Sequence, residues 1–547
     1  MKLLVRAVLA MMLAVPSPAL ASEAPGRAQE ALQMARQAVR QYYEAQAAKG
    51  DAAAARWLGD HEHGAASLSW YRKAAEQGDA EAQGELAWRY DRGEDAPRDE
   101  AAALAWARRG AAAGDETAIE VLAERYRDGR GVPADLGRAL DLYARLETDP
   151  DEEAIPALRE AGLAGGKPVA PTFALLLQRL QADAAAGAAR ANWALYTFHR
   201  EEFGIPDGGA LAALPYLRRA AESRDPQAMT ALGGWYAAGG AGLASADPHA
   251  ALAWFREAAL TGYSPAIGTL VGAYETGSLA ARDPAKAMEW LRRGAMAGDP
   301  EAQVALAERL GTGTYPGGPP GVYAMDAEEA LLLVNKASRA GNAHAMFLQG
   351  LYNLDGTPFA RNPALAAEWL QKAANAGHEG AMVALAEMLE AGRGVKADQA
   401  KAFALYRDAG MLLRQGRAYR DGRGVTANAH LALDCFLAEF DRQHPTASEA
   451  MVWLGRMFEQ GRGVGQDAAL GLALYEESHS LAGAWLRAQY EDRLPGATLQ
   501  SRLAAYRAVA DELGGPPPAL PADPAAALAW FRKAAQEYLD RFEDGTL

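Results

Sequence analysis

The chain has 547 residues, 50% hydrophobic, 23% charged and 8% aromatic, which sustains a large buried core and excludes a chain disordered by composition. Its formal net charge of −15 disfavours nucleic acid and anionic lipid as partners and leaves basic or neutral ones. The single cysteine, Cys435, excludes an intramolecular disulfide, and its apolar neighbours in DCFLAEF suit an inert core thiol.

Residues 1–21 read as a signal peptide. Lys2 and Arg6 precede a short apolar run, and Ala19-Leu20-Ala21 supplies the small-x-small pattern of a signal-peptidase site. Cleavage near Ala21 predicts a periplasmic or secreted mature chain. No cysteine follows the site to carry a lipid anchor, and no later run of about 18 apolar residues predicts a transmembrane segment. Residues 22–51 form a candidate N-terminal capping helix that ends YYEAQAAKGD.

From residue 52 the chain repeats itself. AEAQGELAWRYDRGEDAPRDEAAALAWARRGAAAGD (80–115), SPAIGTLVGAYETGSLAARDPAKAMEWLRRGAMAGD (264–299) and AHAMFLQGLYNLDGTPFARNPALAAEWLQKAANAGH (343–378) are each 36 residues long. Ala82, Leu86 and Tyr90, Ala266, Leu270 and Tyr274, and Ala345, Leu348 and Tyr352 fall on one face of a first helix, A. A second helix, B, carries Trp106, Trp290 or Trp369, read as its inward residue, followed by basic and small residues. Repeats are predicted over 52–146 and 188–490. An irregular helical segment at 147–187 separates these blocks, and an irregular linker with a C-terminal capping helix fills 491–547.

GRGV recurs four times, ending at Val132, Val395, Val425 and Val464, and Asp135, Asp398, Asn428 or Asp467 stands three residues beyond. A phosphate-cradling loop requires a preceding strand and a following Lys-Ser or Lys-Thr pair, both missing here. The pattern instead predicts a turn: the glycines adopt left-handed geometry after helix A, the valine packs inward, and the Asp or Asn caps helix B. Gly78, Gly114, Gly298, Gly341 and Gly377 likewise read as glycines that close helix B.

This pattern closely resembles the Sel-1-like repeat, a relative of the tetratricopeptide repeat. Its consensus runs A-x-x-x-L-G-x-x-Y-x-x-G-x-G-V, then D-x-x-K-A-x-x-W-[FY]-x-x-A-A-x-x-G. The resemblance implies an all-α protein, an α-solenoid of about a dozen helix-turn-helix Sel-1-like repeats. It also implies an adaptor that binds a protein or peptide at the bacterial envelope. A glycan-binding module for peptidoglycan or exopolysaccharide is the alternative, and a hydrolase the remotest reading, since the chain lacks the paired cysteines of the branch associated with β-lactam hydrolysis.

No nucleophile elbow, HExxH, paired CxxC or nucleotide fingerprint occurs, so no catalytic residue, metal or cofactor is expected; His61-Glu62-His63 reads as a solvated loop. Candidate partner-binding residues come from helical geometry. Six tryptophans, Trp70, Trp106, Trp254, Trp290, Trp369 and Trp530, occupy the predicted helix B core position. On helix A, Trp88 and Trp193 point about 160° from the Ala-Leu-Tyr stripe and are expected to face outward. Glu120 and Glu124 fall at the same offsets in the intervening unit. Together they predict an aromatic, acidic groove for a basic peptide, with sugar stacking on the tryptophans as the alternative and burial under 147–187 as the competing reading. The insert GTGTYPGGPPGVYAMD (311–326) adds Tyr315 and Tyr323 as candidate contacts.

Overall fold

The structure is a computed structural model and describes residues 24–143, 145–146, 173–200, 210–239, 245–356, 360–443, 445–493, 497–512 and 523–544. The signal peptide, residues 147–172 of the irregular segment and the Pro-rich stretch at 513–522 lie outside the described residues. Among the described residues there are 27 helices and no strand. None is long and apolar enough to cross a membrane. The contacts divide the chain into two compact units, Gln46–Ala381 and Met1–Ala45 with Met382–Leu547.

Both units are built from alternating A and B helices whose ends are set by the predicted punctuation. At GRGV both glycines are left-handed, as at Gly129 (φ 73°) and Gly131 (φ 70°), and the Gly129 N–H closes helix A on the Arg125 carbonyl at 2.9 Å. The following carboxylate or amide then caps helix B: Asp135, Asp398, Asn428 and Asp467 accept from the backbone N–H three residues on at 2.9–3.2 Å. Val132 is buried, whereas the valines of the other three turns are half-buried. GRGV is a turn.

The consensus glycine of helix A has a packing role. A Cβ at Gly59, Gly233, Gly350, Gly416 or Gly455 would lie 2.5–2.9 Å from the side chain of Tyr71, Phe255, Leu370, Phe436 or Tyr475. That residue, not the tryptophan, is the core residue of helix B. Tyr71, Phe255, Leu291, Leu370 and Phe531 are buried, while Trp70, Trp254, Trp290 and Trp369 are half-buried and Trp530 is exposed. The tryptophan precedes the core residue by one, so the helical turn of about 100° carries it to the flank. There the cation one turn later covers its ring: Lys73 over Trp70 at 5.0 Å, Arg109 over Trp106 at 4.9 Å, Lys372 over Trp369 at 4.2 Å.

In the unit Gln46–Ala381, buried ion pairs bond successive A helices. Arg125 donates to Asp91 at 2.5 Å, and Arg309 forks onto Glu275 with two bonds of 3.0 Å. The segment 147–187, expected to be irregular and helical, includes the helix Phe173–Ala185, closed by left-handed Gly187. In the other unit the helix Ala24–Ala48 packs on Ala429–Asp441. Tyr42 stacks on His430 at 4.9 Å, Tyr43 donates to Asp434 at 2.7 Å and Arg36 pairs with Asp441 at 2.6 Å. The helix Pro524–Asp544 is held by Arg532, which forks onto Asp492 at 2.7 Å, and by Phe542, stacked 5.0 Å from fully buried Trp453.

Candidate interaction surface on the first repeats

The predicted groove residues separate by environment. Trp88, on the helix Ala80–Arg92, is half-buried and packs on a cluster of Ala87, Ala118, Ile119, Val121 and Leu122. Glu120, on Glu116–Asp128, is exposed. Glu124 is mostly covered and ion-paired, 3.0 Å from Arg130 and 3.6 Å from Arg92. Glu81, Glu85 and Glu116 extend the acidic surface on the same two helices.

Burial pushes the Asp115 carboxyl above its ordinary value; its bond from the Ala118 N–H opposes this, and the charges of Glu81, Glu116 and Glu85 add to the rise. Several of these carboxylates are ion-paired: Arg56 with Asp79 at 3.2 Å and Glu81 at 2.6 Å, and Arg89 with Glu85 at 3.1 Å.

Trp193 does not belong to this surface. It is 8% exposed, lies 5.1 Å from Tyr196, and shares one core with Leu176 and Leu180 of the helix Phe173–Ala185. Its helix, Ala189–Arg200, is buried on the face that periodicity alone assigns to solvent, because that rule takes account of only one packing side. Tyr323 is likewise an anchor: it is 8% exposed, donates to Glu275 at 2.7 Å and thereby joins the Arg309–Glu275 pair. Tyr315 is half-buried, with the Arg282 guanidinium 5.5 Å from its ring centre. The signal for Tyr323 is its place three residues before the Asp326 cap of helix B, the offset at which buried Val132 precedes Asp135.

Elsewhere, His61 stacks on Trp57 at 3.8 Å and its Nδ1 lies 2.8 Å from the Trp57 carbonyl. Among the described residues no group of three or more His, Cys, Asp or Glu side chains is placed to hold a metal ion. Burial, followed by the charge of Asp434, pushes the Cys435 thiol up to about 12, far from the thiolate a nucleophile needs.

The Sel1 repeat family model matches residues 53–79, 80–115, 118–146, 226–263, 269–299, 300–342, 343–378, 380–412, 414–438, 448–478 and 503–538. The chain belongs to the Sel1 repeat family. Proteins of this family generally mediate protein–protein interaction. Between matched stretches, the Sel1 protein carries a further helix pair of the same kind, Ala189–Arg200 with Ala210–Glu222.

Among solved structures, it is similar to the protective antigen c5321 of uropathogenic Escherichia coli, which displays an SLR fold (23% identity, TM-score 0.45, covering 85% of this chain and 97% of that one). It is also similar to a Sel1 repeat protein from Oxalobacter formigenes (27% identity, TM-score 0.41, covering 63% of this chain and 95% of that one). No curated protein matches it.

Proposed function

We propose that this Sel1 repeat protein is an exported adaptor of the bacterial envelope that holds a basic peptide segment of a protein partner on its first repeats. The observation that carries this reading is that Glu81, Glu85, Glu116 and Glu120 share two adjacent A helices with half-buried Trp88. Carboxylates at this spacing attract Lys or Arg side chains, and an indole edge gives a cation or an apolar stem a surface to cover. Tyr315 under Arg282 is proposed as a separate contact on the insert. Export rests on the sequence of residues 1–21.

The test is capture by the immobilised mature chain from envelope extract, set beside binding to purified sacculi. Protein capture that weakens with salt and is lost in Glu116→Lys/Glu120→Lys, with helical circular dichroism unchanged, supports the adaptor. Sacculus binding that survives those substitutions overturns it in favour of a glycan-binding module.

A further inference from the structure

Glu308, His344, His378 and Ala381, all in the unit Gln46–Ala381, are joined by a chain of hydrogen bonds independent of the acidic surface. His344 Nε2 lies 2.9 Å from Glu308 Oε1, His344 Nδ1 lies 3.0 Å from His378 Nε2, and His378 Nδ1 accepts from the Ala381 N–H at 3.1 Å. Glu308 belongs to the helix Pro300–Thr312, His344 to Ala343–Asp355, and His378 immediately precedes Glu379–Ala391. At the equivalent position several other A helices place an Asp or Asn acceptor, as Asp115 does for Ala118 at 2.7 Å and Asn342 for Ala345 at 2.8 Å. His378 is a titratable substitute for that cap.

The chemistry fixes both tautomers. A backbone N–H only donates, so His378 Nδ1 carries a lone pair and its proton sits on Nε2. That proton points at His344 Nδ1, which accepts, and leaves His344 Nε2–H to donate to Glu308. Both rings are then neutral and every donor faces an acceptor. A charged His344 carries protons on both nitrogens, so its Nδ1–H needs a lone pair on His378 Nε2. Neutral His378 supplies one only by holding its proton on Nδ1, where it no longer accepts from Ala381.

We propose that Glu308, His344 and His378 form a proton relay in which protonation of His344 reverses the tautomer of His378 and removes the side-chain cap from the Ala381 N–H. One proton enters at His378 Nδ1, the Nε2 proton crosses to His344 Nδ1, and the single positive charge gained comes to rest beside Glu308. The Ala381 N–H retains its second bond, to the His378 carbonyl at 3.0 Å, so the end of the helix loosens without unravelling.

The surroundings favour this order of events. The bond to Glu308, opposed by burial and assisted by the charges of Glu308 and Glu301, raises His344 above the ordinary imidazole value. Burial and the neighbouring His344 lower His378, with Glu379 and a backbone hydrogen bond opposing. The other groups facing the pair are Arg309, 3.8 Å from Glu308, Tyr352, whose phenol is raised by burial and by Glu308, and Phe347, stacked on His378 at 4.5 Å. With His344 raised, its ion pair with Glu308 is fully formed below the ordinary value of about 6.5 and is lost as pH rises through the higher folded value. The His378 cap has the opposite dependence and is present on the alkaline side.

The experiment uses the full mature chain labelled with ¹⁵N-histidine, whose ring-nitrogen shifts report tautomers, titrated from pH 8.5 to 5. The expected result is that His378 Nδ1 changes from unprotonated to protonated, with the ring still neutral, at the midpoint where His344 becomes charged. Over the same interval protection of the Ala381 amide, corrected for intrinsic exchange, falls about two- to fivefold, the scale of one side-chain cap. In His344→Gln the His378 tautomer stays fixed through that interval. In Glu308→Gln the His344 midpoint and the tautomer change move together to lower pH. His378 keeping Nδ1 unprotonated while His344 is charged, or changing equally in His344→Gln, overturns the relay.

Discussion

Phe255 and Trp254 are adjacent on one B helix, and the structure assigns them opposite weights. Phe255 is 3% exposed, and its ring lies so close to Gly233 that a Cβ there would be 2.7 Å away. Truncation to Ala removes the ring from a site where Gly233 has no side chain of its own to fill the gap. The expected loss for Phe255→Ala is about 3–5 kcal/mol. Trp254 is half-buried on the flank, so Trp254→Ala forfeits only part of its apolar contact, about 1–2 kcal/mol. Chemical denaturation of the full chain, followed by helical circular dichroism, measures both. Because a repeat array opens in parts, hydrogen exchange in Pro226–Ala238, Pro248–Leu260 and Ser264–Thr276 localises the loss. A Trp254→Ala loss equal to or larger than that of Phe255→Ala would refute the assignment of the core to the residue after the tryptophan.

Arg224 adopts φ 65° where sister repeats have Gly114 or Gly298, and makes the same closing bonds, its N–H on the Ala221 carbonyl at 2.9 Å and that of Asp225 on Ala220 at 3.3 Å. Arg224→Gly is expected to stabilise by about 1 kcal/mol, and a lower denaturation midpoint would contradict the strain. Asp492 is held below its ordinary carboxyl value first by the hydrogen bond from Arg532, with burial opposing and the Arg532 charge, Tyr506 and Arg502 assisting. A depressed carboxyl contributes stability above its unfolded value and loses it as pH falls through the folded one, so the helix Pro524–Asp544 is expected to loosen below about pH 4. Hydrogen exchange in that helix checks this: acid sensitivity persisting in Asp492→Asn would place its cause elsewhere.

The turns and caps were legible in the sequence because their determinants are local. Left-handed glycines and an Asp or Asn three residues past GRGV act within one turn of chain, and the same residues recur with the same bonds in four places. The side-chain register of helix B was misread by one residue for an equally physical reason. Trp is the largest side chain in the pattern, and size suggests the core, but glycine in helix A brings the backbones close and leaves room for Tyr71, Phe255 or Leu370 between them. A half-covered indole under a Lys or Arg is the arrangement that remains for the neighbouring position.

What periodicity could not supply was knowledge of what covers a face. Trp88 lies two residues after its stripe leucine and Trp193 two before, each about 160° from the stripe, yet one is half-buried at the edge of a small core and the other shares a larger one with Leu176 and Leu180. The same limit applies to the helix Ala24–Ala48, whose Tyr42 and Tyr43 find partners in His430 and Asp434, nearly 400 residues away. A solenoid made only of neighbour contacts leaves one open face per helix; here segments distant in sequence close some of those faces and leave others open. On that argument the faces left open, such as the one carrying exposed Glu116 and Glu120, are where substitution should alter binding while sparing stability, whereas at Trp193 and Tyr323 substitution should alter stability first.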